Sequence, residues 1–187
     1  MRFTVLVGRY AKALLDAAIN NEMVDKTLHD MRLVDETLEN SMELRNIIEQ
    51  PFISKEHKKN ILEKLFKDKI SEQTLNFLKL MVEKNREDVI INVYEKFYEL
   101  YLEYKKIAVV TITSAVTLDD TTKQRIVNIV RHKITDESVI EINNVIDKGI
   151  IGGFIVNYKD FRYDASVAGT VKRLYRQFSE NLFVKGY

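Results

Sequence analysis

Between Gly8 and Gly149 the chain contains no glycine, and Pro51 is its only proline. Hairpins and tight turns depend on residues that accept positive φ or preset a turn, so a stretch this poor in them is joined at polar breaks and not through Gly/Pro turns. Five further glycines then follow, at Gly149, Gly152, Gly153, Gly169 and Gly186. The chain is written in two grammars, and the change of periodicity comes near Lys105.

Up to Lys105 the apolar spacing is helical, with a period near 3.6. It predicts helices over about 4–20 and about 23–39, the second with Val24, Leu28, Met31, Val34 and Leu38 on its stripe. A short third helix carries Leu44, Ile47 and Ile48 and stops because Pro51 disfavours helical geometry at Gln50. Ser54 caps a fourth helix holding Ile61, Leu62 and Leu65, and Ser71 caps a fifth holding Leu75, Phe77, Leu78, Met81 and Val82. A sixth runs from Glu87 to about Lys105, its apolar side (Val89, Ile90, Val93, Phe97) opposed by Asn92, Glu95, Lys96, Glu99 and Glu103.

The first helix lacks such a wet side. From Val5 to Ile19, eleven of fifteen residues are apolar, and its charges Arg9, Lys12 and Asp16 fall within an arc of about 60°. The fifth helix is similar, with Leu75, Phe77, Leu78, Leu80, Met81 and Val82 spread over about 220°. Each has more apolar arc than one core stripe needs, and the surplus meets either a neighbouring helix or a partner.

After Lys105 the period changes. Ile107 to Ala115 is uncharged and rich in β-branched residues, which suits a strand covered on both sides. A helix follows Asp119 and Asp120, with Ile126, Ile129, Val130 and Ile134 on one face. Strands are expected at Val139–Ile146, Gly153–Tyr158 and Phe161–Asp164, and a final helix at about 165–182 carries Val167, Val171, Leu174 and Phe178. The expected class is α+β: a six-helix bundle over residues 1–105, then a small domain over 106–187 with helices packed on a mixed sheet.

Little of this looks like chemistry. Without cysteine there are no disulfides, thiolate metal sites or cysteine nucleophiles. His29, His57 and His132 lie on three different predicted helices with no second ligand at i+4, so no metal is expected. The run Gly149-Ile150-Ile151-Gly152-Gly153-Phe154 lacks the Gly-Lys-Ser/Thr ending of a phosphate loop and leads into a strand, which makes it a turn or bulge and leaves no cofactor implied. Asp164-Ala165-Ser166 reads as a helix cap. Tyr94, Tyr98, Tyr101 and Tyr104 share their helix with Glu95, Glu99 and Glu103, so the tyrosines suit core and interface better than base stacking.

Charges are balanced, 29 basic against 28 acidic, and interspersed along the chain. Residues 1–105 carry 17 basic and 19 acidic groups (net −2) and the remainder 12 and 9 (net +3), with Lys172, Arg173 and Arg176 concentrated on the last helix. This is not a nucleic-acid footprint, although a helical nucleic-acid-binding adaptor is the alternative those three cations allow. The first apolar run is too short for a membrane span, so membrane association is expected only through another protein.

Six segments stand out in order: Arg9-Tyr10-Ala11-Lys12-Ala13-Leu14-Leu15-Asp16-Ala17-Ala18; Pro51-Phe52-Ile53-Ser54 with Lys58, Ile61, Leu62 and Leu65; Asn76-Phe77-Leu78-Lys79-Leu80-Met81 with Asn85-Arg86; Thr113-Ser114-Ala115-Val116-Thr117-Leu118; Ile151-Gly152-Gly153-Phe154; and Asp164-Ala165-Ser166-Val167. Together they resemble the delta subunit of the F-type ATP synthase, equivalent to the mitochondrial oligomycin-sensitivity-conferring protein. Departures are small: Val171 stands where the family often has Leu, and Gly8 and Gly169 sit inside predicted helices.

The resemblance implies a non-catalytic stator subunit, peripheral on the cytoplasmic face of a bacterial membrane, that ties the catalytic head to the stalk. It implies that a groove between the first and fifth helices receives the N-terminal helix of an α subunit, with Tyr10, Ala11, Leu14 and Ala18 from one side and Phe77, Leu78 and Met81 from the other. It also implies that the C-terminal part meets the end of the b-subunit stalk, for which Val171, Leu174, Tyr175 and Phe178 are the candidates.

Overall fold

Helices α1 (Arg2–Asn20), α2 (Val24–Asn40), α3 (Met42–Glu49), α4 (Lys55–Phe66), α5 (Glu72–Glu83) and α6 (Glu87–Lys105) fill the first part of a computed structural model that describes residues 2–131 and 139–182. The chain separates into two compact units that divide between Lys105 and Lys106. Ser41, Ser54 and Ser71 start α3, α4 and α5, each hydroxyl accepting the backbone N–H three residues on, from Leu44, His57 and Thr74 at 3.3 Å.

Helix ends show how the first unit stops its helices without glycine. Glu22, Asn85 and Lys106 take the left-handed conformation at φ 56°, 52° and 54°. After α1 and α5 the next N–H then reaches back five residues, from Met23 to the Ala18 carbonyl and from Arg86 to the Met81 carbonyl, both at 2.9 Å. These are the terminations that glycine usually provides, accepted here by side chains that bear a cost of about 1 kcal/mol each.

Two clusters form the core of this unit. Val34, Leu38, Leu44, Ile48, Leu62, Phe66, Leu78, Met81 and Val82 fill one between α2, α3, α4 and α5, and Val7, Ala11, Leu14, Ala18, Met31, Val89, Val93 and Phe97 fill the other, chiefly between α1 and α6. Tyr10 and Phe77, both half-buried, pack against both clusters.

Polar ties, two buried and one at the surface, fix the helices to one another. Asp30 on α2 accepts from the Ser71 N–H at 2.8 Å and the Thr74 hydroxyl at 3.1 Å, so it satisfies the start of α5 from a distant part of the chain. Lys58 on α4 meets Glu87 at the start of α6 at 2.8 Å, both nearly closed to solvent. Asp25 accepts from Tyr101 at 2.8 Å and Lys105 at 3.0 Å, and these two partners hold its carboxyl below the ordinary range.

The second unit has the order β1 (Ile107–Ser114), α7 (Asp120–Arg131), β2 (Val139–Ile146), β3 (Phe154–Tyr158), β4 (Phe161–Asp164) and α8 (Val167–Leu182), with a 3-10 turn at Lys148–Ile150 ahead of β3. The sheet runs β2-β1-β3-β4, parallel between β1 and β2 and antiparallel elsewhere. Ala108, Val110 and Ile112 of β1 join Val156 and Tyr158 of β3 and Ile126 of α7 in one cluster.

Two sequence expectations change. Burial along β1 alternates, so the strand is closed on one face and only half-closed on the other, because α7 covers a single side of the sheet. The expected packing of both late helices on the sheet holds for α7 but not for the stripe of α8, which stands in solvent. Ile129 and Val130 fall in α7 as expected, whereas Ile134 and His132 lie outside the described residues.

Candidate functional site

The residues singled out on α1 and α5 divide by depth. Ala11, Leu14 and Ala18 are buried, Leu14 at 2% exposure, and so are Leu78 and Met81. They are packed inside the bundle's own clusters and present no open side chain. Tyr10 and Phe77 keep part of their surface open, at the junction of the two clusters.

Beside the buried arc, α1 carries a second stripe that periodicity alone did not separate from the core. Phe3, Leu6, Tyr10, Ala13 and Ala17 recur at intervals of three and four and share an arc of about 80°. All are exposed or half-buried. On α5 the matching flank is Gln73, Phe77 and Leu80, with Leu80 exposed.

Helix α1 packs chiefly on α6, and α5 chiefly on α4. The Asn21 side-chain amide donates to the Gln73 amide oxygen at 3.1 Å and joins the end of α1 to the beginning of α5. Each helix thus keeps a half-open apolar flank, and burial, not hydropathy, is the signal that separates these flanks from the packed residues beside them.

The candidates on α8 lie quite differently. Val171, Leu174, Tyr175 and Phe178 are all exposed, Tyr175 at 74% and Phe178 at 68%. With exposed Val167 they share one side of the helix within an arc of about 100°. Lys172, Arg173 and Arg176 occupy the other side, where with Asp164 and Gly169 they line a shallow recess.

The start of α8 is built by the motif read as a cap. Asp164 accepts from the Ser166 N–H at 3.0 Å and the Ser166 hydroxyl at 2.6 Å, which lowers its pKa, and Ser166 in turn accepts from the Gly169 N–H at 2.9 Å. Gly169 is required by that arrangement, since a Cβ there would come within 2.7 Å of an Asp164 oxygen. The Val167 N–H donates to the Gly152 carbonyl at 3.0 Å, and Gly153, at φ +75°, lies so close to the Ala165 carbonyl that no side chain fits. The glycine run therefore anchors the start of a helix.

Among the described residues no group of acidic and histidine side chains converges as a metal site would, and no helix is long and apolar enough to cross a membrane. What the two surfaces offer is open apolar area at helical spacing.

Comparison with known proteins agrees with that character. Residues 6–178 match the ATP synthase delta (OSCP) subunit family. The chain belongs to this family. Curated relatives named ATP synthase subunit delta include one from Prochlorococcus marinus strain MIT 9301, 32% identical over 88% of this chain and 91% of the relative, and one from strain MIT 9303, 36% identical over 88% and 90%. The fold is shared with a chain of the Toxoplasma gondii mitochondrial ATP synthase hexamer at a TM-score of 0.66 and 24% identity, covering 92% of this chain and 97% of that one. A delta (OSCP) subunit is a structural, non-catalytic component of the stator in a membrane-bound ATP synthase, and nothing in the match favours the nucleic-acid adaptor.

Proposed function

We propose that the two surfaces are the two ends of one mechanical tie. The seam between α1 and α5 receives an amphipathic helix from the N-terminus of an α subunit of the catalytic head. The exposed stripe of α8 receives the C-terminal end of the b-subunit stalk. Held on both sides, the chain keeps the head from turning with the rotor, so that ion flow is spent on ATP synthesis. On this reading it sits at the cytoplasmic face of the membrane and reaches the bilayer only through the complex.

The observation that carries the reading is that each unit displays an apolar stripe at helical spacing that its own fold leaves open: Phe3, Leu6, Tyr10, Ala13 and Ala17 with Phe77 and Leu80 in the first, and Val167, Val171, Leu174, Tyr175 and Phe178 in the second. Helix-in-groove association uses such spacing for its anchors, at roughly 25 cal/mol per Å² of apolar surface buried. In the seam the partner rests on Tyr10 and Phe77, while Ala11, Leu14, Ala18, Leu78 and Met81 support those walls from beneath.

A titration of the full chain with a peptide from the α-subunit N-terminus of the same organism tests the first docking. Ala13→Glu and Leu80→Glu alter open positions, so each is expected to weaken binding at least about tenfold, or about 1.4 kcal/mol, with the melting temperature unchanged. Unaltered affinity in both variants refutes the seam.

A further inference from the structure

On α8 the cations and the apolar stripe take opposite sides. At 100° per residue, Gly169, Lys172, Arg173 and Arg176 share an arc of about 100°, centred nearly opposite the stripe that runs from Val167 to Phe178. No carboxylate of the same helix stands beside the first two cations: the positions three and four away from Lys172 and from Arg173 hold alanine, glycine, threonine, tyrosine, glutamine and arginine. Lys172 and Arg176, four apart, and Arg173 and Arg176, three apart, are like charges at neighbouring positions, which weakens a helix. That repulsion is relieved when an anion sits between the cations.

The recess that these side chains line with Asp164 encloses about 210 Å³. Gly169, having no side chain, leaves its floor open. Arg173 is the positioned member of the group. One of its guanidinium nitrogens donates to the Thr170 hydroxyl oxygen at 3.1 Å, and that hydroxyl donates to the Ser166 carbonyl at 3.0 Å, so the fork is tied to the backbone at the start of the helix. Asp164, the one acidic residue in the lining, is already engaged: one of its oxygens accepts twice from Ser166, and Arg162 of β4 stands 4.0 Å from the other. Four cations (Arg162, Lys172, Arg173, Arg176) against one carboxylate leave the recess at net +3.

We propose that this recess is a binding site for a phosphate group, with Arg173 as its positioned fork and Lys172 and Arg176 as the flanking cations. Guanidinium forks meet phosphate oxygens in pairs, and an ammonium adds a point charge beside them. Lys172, Arg173 and Arg176 span about 6 Å of helix axis, the dimension of one tetrahedral anion, whereas a docked acidic helix needs cations strung along several turns. Free phosphate and the phosphate of a nucleotide present the same chemistry to such a hollow. The site lies away from the apolar stripe of α8 and does not rest on the docking proposed above.

The test titrates the full chain, labelled with nitrogen-15, with inorganic phosphate at constant ionic strength and follows the backbone amides of 164–176 and the arginine side chains by NMR. Saturable shifts confined to that group are expected in the millimolar range. Their absence, or their reproduction by chloride, overturns the proposal. The double variant R173Q/R176Q is expected to weaken binding at least about tenfold without lowering the melting temperature. R125Q/R131Q removes the same charge from exposed positions on α7 and is expected to leave binding unaltered. An equal loss from the two pairs would show net charge alone at work and overturn the site. Asp164→Asn keeps an acceptor for Ser166 and deletes the one negative charge, so binding is expected to tighten severalfold; an unaltered affinity would put the anion elsewhere. Adenosine diphosphate without magnesium separates the sources. Affinity equal to that of phosphate assigns the recess to the free anion, and affinity more than about tenfold tighter assigns it to a nucleotide, the phosphate chemistry standing in both cases. Loss of b-subunit segment binding in R173Q/R176Q, with no response of the chain to phosphate, would give the cations to a protein and overturn the proposal.

Discussion

Helices α1 and α8 carry the same kind of pattern and meet opposite fates. Leu14 on α1 and Leu174 on α8 each stand in a row of apolar residues at intervals of three and four, yet Leu14 is sealed between α1 and α6 while Leu174 is exposed. Periodicity states that a face needs cover. It does not state whose atoms supply it. In the first unit α6 and α2 do so for α1 and leave only a flank over, whereas in the second a sheet with α7 on one side leaves α8 its whole stripe.

The same substitution at both positions breaks the symmetry most sharply. Leu14→Glu forces an unpaired carboxylate into the cluster of Val7, Ala11, Ala18, Val93 and Phe97, at a cost of several kcal/mol, about the whole stability of a unit this size. Far-UV circular dichroism of the full chain is expected to lose the cooperative melting of the helical unit. Leu174→Glu is expected to move melting by no more than about 0.5 kcal/mol, since the side chain is already in water. Equal melting in the two variants would show that burial on α1 is not structural.

This pair also marks how far the sequence could be read. Serine caps at 54 and 71, the stop before Pro51 and the span of α6 were legible because they depend on neighbours within a few residues. So were β2 and β4. The ties that set helix against helix were not, for the partners of Asp30 lie 41 and 44 residues away and those of Lys58 lie 29 away. The residues proposed for docking fall between. Surplus arc on α1 and α5 is visible, but a wheel has no depth, so it does not separate buried Ala11, Leu14, Ala18, Leu78 and Met81 from the more open Leu6, Ala13, Ala17 and Leu80. On α8 the chosen residues are open because nothing in the unit competes for them.

Glycine gives a second, smaller contrast between the same two helices. Gly8 has nothing within 4 Å of where its Cβ would be, so Gly8→Ala is expected to stabilise the chain by about 1 kcal/mol through helix propensity alone. Gly169→Ala gains the same propensity but drives a methyl group into Asp164, whose bonds to Ser166 start the helix. The net result is expected to be a loss of about 1 kcal/mol. Thermal melting of the two variants settles the matter. A stabilised Gly169→Ala would mean that the Asp164 cap yields without cost, and that α8 is held at its start by less than the hydrogen bonds indicate.

The last contrast is electrostatic. While α8 concentrates cations, α2 and α6 bring carboxylates together, and Asp35 has its pKa raised to about 6 by burial, then by Glu39, Glu95 and Glu36. A carboxyl whose folded pKa lies above its unfolded value near 3.8 binds its proton more tightly in the native state. Its ionisation therefore weakens the fold at neutral pH, and the penalty is relieved as the pH falls through 6 and is gone below about 4. Asp35→Asn removes the charge, so it is expected to raise stability at pH 7.5 by about 1 kcal/mol, a figure reduced for the solvent that still reaches the group. Melting curves from pH 7.5 to 4 should show the variant's advantage shrink steadily toward zero. An advantage independent of pH would assign the gain to packing. No advantage at any pH would mean that Lys and Arg side chains nearby already neutralise the cluster.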